Sequence, residues 1–351
     1  MEKNYSVTEN SLVSVVIINY NGKEYILDCM NSVFKTTNCN FEVLLIDNNS
    51  SDNSSESCKE KYPEIRLFRN KKNLAMAARN KGIDEAKGDF LVFLDADTVV
   101  EPNWLSILLD SYKKHGIGIY QGRFFKKSDH SIIENCGCMT NIFGTGFARD
   151  RGQKNNNQFE NFQKISFATG ACTFSATHIF REIGYVDESS LFFLMVDDLD
   201  YGWRGWMLGI PSYYEPQCII YHVGSPNLGW SSEKFFFMER NRWICLLTLY
   251  SEKTLFKIFP FLILYDFCVF LFFSSKRMGF VKVRAFFSLL KMLSKIQKRK
   301  KLMQSKRKFQ DHEIVKNFVN TIDVPMGLTS DLPQFFMSFI KKLNIMTRQF
   351  I

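Results

Sequence analysis

Gly88-Asp-Phe-Leu-Val-Phe-Leu-Asp-Ala-Asp97 is the stretch that decides the reading of this chain. Its apolar run, Phe90 to Leu94, is strand-length and bounded by polar turns. Two carboxylates follow at i and i+2, Asp95 and Asp97, with Ala96 between them. Carboxylates this close repel unless a cation lies beside them. Oxygen donors of this kind suit Mg²⁺ or Mn²⁺ on a diphosphate. Alone the pair is a weak signal, because a solvated turn carries the same residues.

Working outward from it, Val13 to Ile18, Glu42 to Ile46 and Ile65 to Phe68 are three more short apolar runs that read as strands. Lys23 to Phe34 places Tyr25, Ile26, Cys29, Met30 and Val33 at helical spacing, and Leu74 to Ala86 is an Ala-rich helix ending before Lys87-Gly88. Strand and helix in alternation predict right-handed crossovers and a mostly parallel sheet, an α/β fold. Ligands of such sheets bind outside the carboxyl ends of the strands. Those ends are polar here: Asn19-Tyr20-Asn21-Gly22 after the first strand, Asp47-Asn-Asn-Ser-Ser-Asp52 after the second, and Asp95-Ala96-Asp97 after the fourth.

Two further clusters carry chemistry. Asp197-Asp198-Leu199-Asp200 opens a helix-like stretch closed by Gly209. Acids at a helix start are favoured by its dipole, which is the structural explanation. The functional one is that a carboxylate there acts as general base, kept ionised by the helix N-terminus. His222 precedes Val223-Gly224 at another strand end, where an imidazole is either a satisfied structural group or a further metal ligand.

Composition narrows the classes. Nine scattered Cys, of which only Cys136 and Cys138 are close, predict a reducing compartment and buried or turn positions rather than a disulfide framework or zinc site. The net charge of +9 is local: residues 291–308 hold nine Lys/Arg and no acid, and the other 36 basic residues balance the 36 acidic ones. That argues against a nucleic-acid partner. The polar N-terminus shows no signal-peptide pattern, so the active part is expected on the cytoplasmic side. Lys257 to Phe273 is strongly apolar but holds Pro260 and Asp266, leaving pieces shorter than the roughly 20 residues of a span. The expectation is a helix in the membrane interface, with residues 255–308 as the contact region; a spanning helix and a core helix are the alternatives. Residues 151–159 read as a mobile loop.

Several of these stretches resemble glycosyltransferase family 2, in its rhamnosyltransferase-like and galactofuranosyltransferase-like branch. They are Ser14 to Gly22, Val43 to Asp52, Asn73 to Gly82, Gly88 to Asp97, Thr169-Gly-Ala-Cys172, Ile183 to Glu188, Val196 to Asp200 and Tyr221-His222, in register from about residue 12 to 245. The resemblance implies a GT-A fold. It implies that Asn19, Tyr20, Asn21 and Asp47 hold the nucleotide, with Arg79, Asp95 and Ala96 toward the donor. Asp95, Asp97 and His222 would ligate the metal, and Asp198 would be the base. Asp197, Asp200, Trp203 and Arg204 would face or support the acceptor. Tyr201, Trp203 and Trp206 fit sugar stacking or packing equally. The chain departs from the family at Asp197, usually Glu, and at Ala75, usually Gly, which predicts a slightly different loop.

The expected organisation is a nucleotide-sugar half over 1–110, an acceptor and catalytic half over 111–245, an apolar and basic helical region over 246–310, and a tail over 311–351 that is a second anchor or a docking helix. The expected function is inverting, metal-dependent transfer from a UDP- or dTDP-sugar, dTDP-rhamnose among them, to a glycan or lipid-linked acceptor in cell-surface polysaccharide synthesis. The enzyme would be peripheral, on the cytoplasmic face of the membrane. A non-catalytic GT-A scaffold and a nucleotidyltransferase are the alternatives.

Overall fold

The computed structural model describes residues 7–8, 10–186, 191–224, 231–322 and 334–351. Asp187 and Glu188 of the quoted motifs lie outside the described residues. The first half alternates as expected: β1 (Leu12–Asn19), α1 (Ile26–Val33), β2 (Asn40–Asp47), α2 (Ser54–Lys61), β3 (Arg66–Arg69), a 3-10 turn into α3 (Arg79–Glu85), and β4 (Phe90–Asp95). Strand β1 pairs in parallel with both β2 and β4, which sets Asn19 beside Asp47 and Ile18 beside Asp95. The polar strand ends therefore share one edge of the sheet. Val13, Val15, Val16 and Ile17 have no exposed surface, as a strand covered on both faces requires. Helix α3 lies close over this strand: a Cβ on Gly82 would come 2.3 Å from Val16 Cγ1.

The chain continues through β5 (Thr98–Val100), α4 (Trp104–His115), β6 (Ile119–Lys126), β7 (Asp129–Asn135), β8 (Cys138–Thr140), β9 (Gly146–Ala148), β10 (Gln163–Ile165), β11 (Cys172–Ala176), α5 (Thr177–Ile183), α6 (Asp197–Leu208) and β12 (Ser212–His222). The main sheet runs β10-β12-β6-β11-β4-β1-β2-β3. It is parallel from β3 to β4, as the alternation predicts. Beyond that it is mixed, because β11 inserts antiparallel between β4 and β6. Strands from both sides of residue 110 thus join one sheet. Residues 151–159 are tied back by Arg123, whose Nη2 donates to Asn155 Oδ1 and Gln158 O.

Helices α7 (Ser232–Leu249), α8 (Glu252–Ser275), α9 (Gly279–Leu290), α10 (Leu293–Lys306), α11 (Asp311–Ile314) and α12 (Gln334–Arg348) follow. They share a second apolar core with α6, built around Trp203, Trp243, Leu246, Tyr250, Leu262 and Tyr265. Two expectations fail here. Pro260 does not break α8, which is continuous over 24 residues and long and apolar enough to cross a membrane by length and composition. The Pro260 side is exposed, while Ile258, Leu262 and Tyr265 on the other side pack. Asp266 does not interrupt the helix either, because it has partners: Arg242 Nη2, Trp243 Nε1 at 3.0 Å and Lys282 Nζ at 3.2 Å. Nor is the basic run 291–308 one continuous charged face. Arg299 is buried against Asp200, and Arg307 pairs with Asp311 at 2.8 Å. Helix α12 docks on the body, with Arg348 donating to Val315 O and Phe318 O.

Candidate active site

Asp95 closes β4, Asp97 sits in the turn before β5, and His222 closes β12. The pairing of β5 with β12 sets His222 opposite Thr98. Val223 N–H donates to Asp97 O at 3.1 Å, and Thr98 Oγ1 donates to Asp95 O at 2.7 Å. The local turn at Asp97 and the far strand end at His222 are thereby locked together. One ligand atom from each of Asp95, Asp97 and His222 lies within 4.8 Å of the others, and all three are partly exposed. His222 Nε2 is 3.2 Å from Asp97 Oδ1. Two carboxylates and an imidazole on an open edge fit a divalent cation such as Mn²⁺ or Mg²⁺. Burial raises the Asp95 carboxyl and the Asp97 charge adds to this, against the lowering by Arg79. Burial lowers His222, but its hydrogen bond to Asp97 and the carboxylates overcome that and raise it. Ala96 packs against the main core between the two acids.

Arg79 joins this group to the start of α6. Its Nη1 donates to Asp197 Oδ2 at 2.9 Å, and its Nη2 lies 3.4 Å from Asp95 Oδ1 and 3.0 Å from Gly170 O. Gly170 is needed for this path, since a Cβ there would come 2.5 Å from Arg79 Nη2. Asp198 is the next residue on the helix and is partly exposed. Its carboxyl is pushed up to about 7, by burial first and by the Asp197 charge second. The Leu199 N–H, at 2.8 Å from Oδ1, and Arg79 offset this only in part. The expectation that the helix start keeps Asp198 firmly ionised is therefore corrected: loss of solvation outweighs the dipole. A carboxylate poised near neutrality suits a general base.

The nucleotide-side residues form a separate polar cluster on the same edge. Asp47 accepts from Ser55 Oγ at 2.7 Å and Ser50 N at 3.2 Å. Asn19 donates to Ser54 and Ser55. Asn21, at a positive φ of 51°, accepts from Ser51 N, while Tyr20 is 51% exposed. Both β2 and β4 flank β1, so Asp47 and Asp95 end strands about 10 Å apart. Asn48, part of the polar strand end but given no role there, is the hub of the next loop: its Oδ1 accepts from Leu74 N and Asn70, and its Nδ2 donates to Asn73 and Ala75 O. Ala75 itself has φ of 47°, the left-handed conformation that glycine adopts freely.

Of the four residues expected to face or support the acceptor, Asp200, Trp203 and Arg204 are buried in structural contacts, and Asp197 stays beside Asp198. Asp200 is buried and takes Arg204 Nε at 2.9 Å and Arg299 Nη2 at 2.7 Å. Arg204 also caps Ile183 O at 3.0 Å. Trp203 is 1% exposed and packs edge-on to Tyr250 and Phe318. Trp206 is buried with Nε1 on Ser166 O at 2.8 Å. Of the two readings of these aromatics, packing holds. Asp197 is held by Arg79 rather than facing outward. Glu134 was missed: it ion-pairs with Arg151 at 2.6 Å and its charge acts on His222, but no local pattern in β7 marks it.

Comparison with known proteins agrees with this architecture. Residues 14–184 match the family model described as "Glycosyl transferase family 2". Glycosyltransferase GlyG of Streptococcus pneumoniae serotype 4 is 31% identical over 120 residues, 33% of this chain and 40% of that protein. The Escherichia coli protein named UDP-Glc:alpha-D-GlcNAc-diphosphoundecaprenol beta-1,3-glucosyltransferase WfgD is 32% identical over 127 residues, 36% of this chain and 50% of that protein. The matches thus span half or less of these two relatives. Among solved structures, GalNAc-T7 with UDP, GalNAc and Mn²⁺ superposes over 73% of this chain and 52% of that one, with a TM-score of 0.56 at 19% identity. The fold is the mixed α/β arrangement called GT-A. Residues 14–184 thus form a glycosyltransferase family 2 domain.

Proposed function

We propose that this chain is an inverting, divalent-metal-dependent glycosyltransferase that moves a sugar from a UDP- or dTDP-sugar to a glycan or lipid-linked acceptor. The observation that carries the reading is the continuous path from Asp95, Asp97 and His222 through Arg79 to Asp197 and Asp198. Asp95, Asp97 and His222 would hold Mg²⁺ or Mn²⁺, which when bound neutralises charge on the departing diphosphate. Asp47 with Asn19, Tyr20 and Asn21 would take the nucleoside end, on the edge shared with Asp95. Asp198 takes the proton from the acceptor hydroxyl while that oxygen bonds the anomeric carbon and the bond to the diphosphate breaks. One displacement inverts the centre, and no protein nucleophile is used. One relative, named for a UDP-glucose donor and a diphosphoundecaprenol-linked acceptor, supports this substrate class. The test is nucleotide release from a panel of UDP- and dTDP-sugars with and without Mn²⁺ or Mg²⁺. Release that ignores chelation would contradict the metal assignment.

The same reading places the enzyme on a membrane surface. Phe256, Phe259, Phe267 and Leu271 of α8 are exposed, as are Phe280, Phe286 and Phe287 of α9 and Phe335 of α12. Phe336 meets Phe272 and Phe350 meets Phe261, so α12 extends the α8 face. Exposed Lys253 and Lys257 lie on α8, Lys291 just after α9, and Lys295 on α10. An apolar face with lysines suits anionic lipid at the cytoplasmic leaflet. The links from Asp266 to α7 and α9 tether the middle of α8 to the domain, which favours an interfacial over a spanning helix.

A further inference from the structure

The two residues before the acid-bearing helix have unusual backbones. Met195 has φ of 65° and Val196 has φ of 69° with ψ near 0°. Residues other than the achiral Gly, and to a lesser degree Asn, rarely enter this left-handed region, and a β-branched residue there is an outlier. Two in succession persist only where their surroundings hold them. Here the holding group is one side chain, Asn241 of α7, which has no exposed surface. Its Nδ2 donates to Leu194 O at 2.6 Å and to Met195 O at 2.8 Å. In extended chain successive carbonyls point to opposite sides, so one amide group reaches both only where the backbone is bent. The neighbouring Arg240 fixes the amide's orientation by donating from Nε to Asn241 Oδ1 at 3.0 Å, and its Nη2 holds Leu191 O at 3.0 Å. Val196 O then accepts from Asp200 N at 3.0 Å, the first hydrogen bond of α6. The bend thus sets where the helix starts and where its first carboxylates point.

We infer that Asn241 is a positioning residue: it clamps the Leu194 and Met195 carbonyls and holds the left-handed Met195-Val196 bend that aims Asp198 at the acceptor. The inference rests on the reading of Asp198 as the base. The side chain is fully buried and is engaged by Arg240 and the two carbonyls, so its effect is expected on the rate of the chemical step rather than on donor binding.

The test is a cycle of Asn241→Ala, Val196→Gly and the double variant, with kcat, donor KM and thermal midpoint measured for each. Asn241→Ala is expected to lower kcat about 10- to 100-fold, the scale of a displacement of about 1 Å at a reacting group, while donor KM moves less than about threefold. Glycine adopts the left-handed bend without strain, so Val196→Gly in the Asn241→Ala background should recover about tenfold of that loss. A residue that merely fills space in α7 would show no such rescue. Wild-type kcat in Asn241→Ala, or a loss that Val196→Gly leaves unmoved, overturns the inference. If Asn241→Ala does not fold, a folded double variant supports the clamp and an unfolded one overturns it. Asp198→Asn run alongside keeps the two claims apart: wild-type turnover there refutes the base, and the clamp is then judged by the coupling of positions 241 and 196 in thermal midpoint.

Discussion

Asp200→Asn separates a buried structural acid from an acceptor-binding one. The Asp200 carboxylate is 2% exposed and serves two buried guanidinium groups, Arg204 from its own helix and Arg299 from α10. At an effective dielectric constant near 20, each pair at about 4 Å between charges is worth about 4 kcal/mol before solvation is counted. Asparagine keeps the shape, but it removes the charge and turns an amide N–H₂ toward donors. Arg204 retains Ile183 O, and Arg299 retains Thr248 Oγ1, so part of the loss is offset. Breaking one side of such a buried arrangement costs about 3–5 kcal/mol. At about 2 °C per kcal/mol for a chain of this size, the thermal midpoint should fall by roughly 6–10 °C. Calorimetry at pH 7.5 measures this, and steady-state rates on the folded protein should show acceptor KM unchanged. A midpoint within about 2 °C of wild type, joined to a large rise in acceptor KM, would refute the structural role and return Asp200 to the acceptor site.

Three other outcomes follow from the same geometry. Ala75→Gly relieves a left-handed alanine, worth about 1 kcal/mol, and part of that is lost to the freer unfolded chain; denaturant unfolding should show a small net gain, and a loss of about 1 kcal/mol or more contradicts the strain. His222→Ala should weaken Mn²⁺ binding at least about tenfold by titration calorimetry. Because His222 is raised by the carboxylates, wild-type affinity should fall as pH drops and the imidazole protonates. Affinity in His222→Ala should be less dependent on pH from this cause, and an unchanged affinity sinks the ligand. Phe256→Glu with Phe280→Glu replaces two exposed rings, each worth about 1.5–3 kcal/mol when buried; sedimentation with anionic vesicles should drop well over tenfold, and full retention argues for another contact surface.

What the sequence disclosed was what local pattern encodes. Strand periodicity and polar strand ends placed Asn19, Asp47 and Asp95 on one edge, because parallel pairing with β1 leaves little freedom of register. The family order brought His222 to Asp97, which spacing alone cannot do. The failures have one cause: cover supplied from far along the chain. Trp203 and Asp200 looked available on an acid-led helix, but α7 and α10, from 30 to 100 residues later, bury them. Asp266 looked like a break in α8 until Arg242 and Lys282 arrived as partners. Asp198 looked like a plain helix-start carboxylate, and only the packed site shows that burial outweighs the dipole. The mixed half of the sheet was illegible for a related reason, since short strands such as β10 and β5 carry too few residues to show a period.

The central claim is that Asp198 accepts the acceptor's proton. Its most direct test is the pH dependence of sugar transfer by the natural chain and by Asp198→Asn, with metal-dependent binding of the nucleotide measured in both. A base raised to about 7 is unprotonated above that pH, so kcat should rise through about 7 and level off at higher pH. Asp198→Asn should lose about 10²- to 10⁴-fold in kcat and the rising limb with it, while nucleotide and metal bind as before. Turnover near the natural level with the same limb intact would contradict the account.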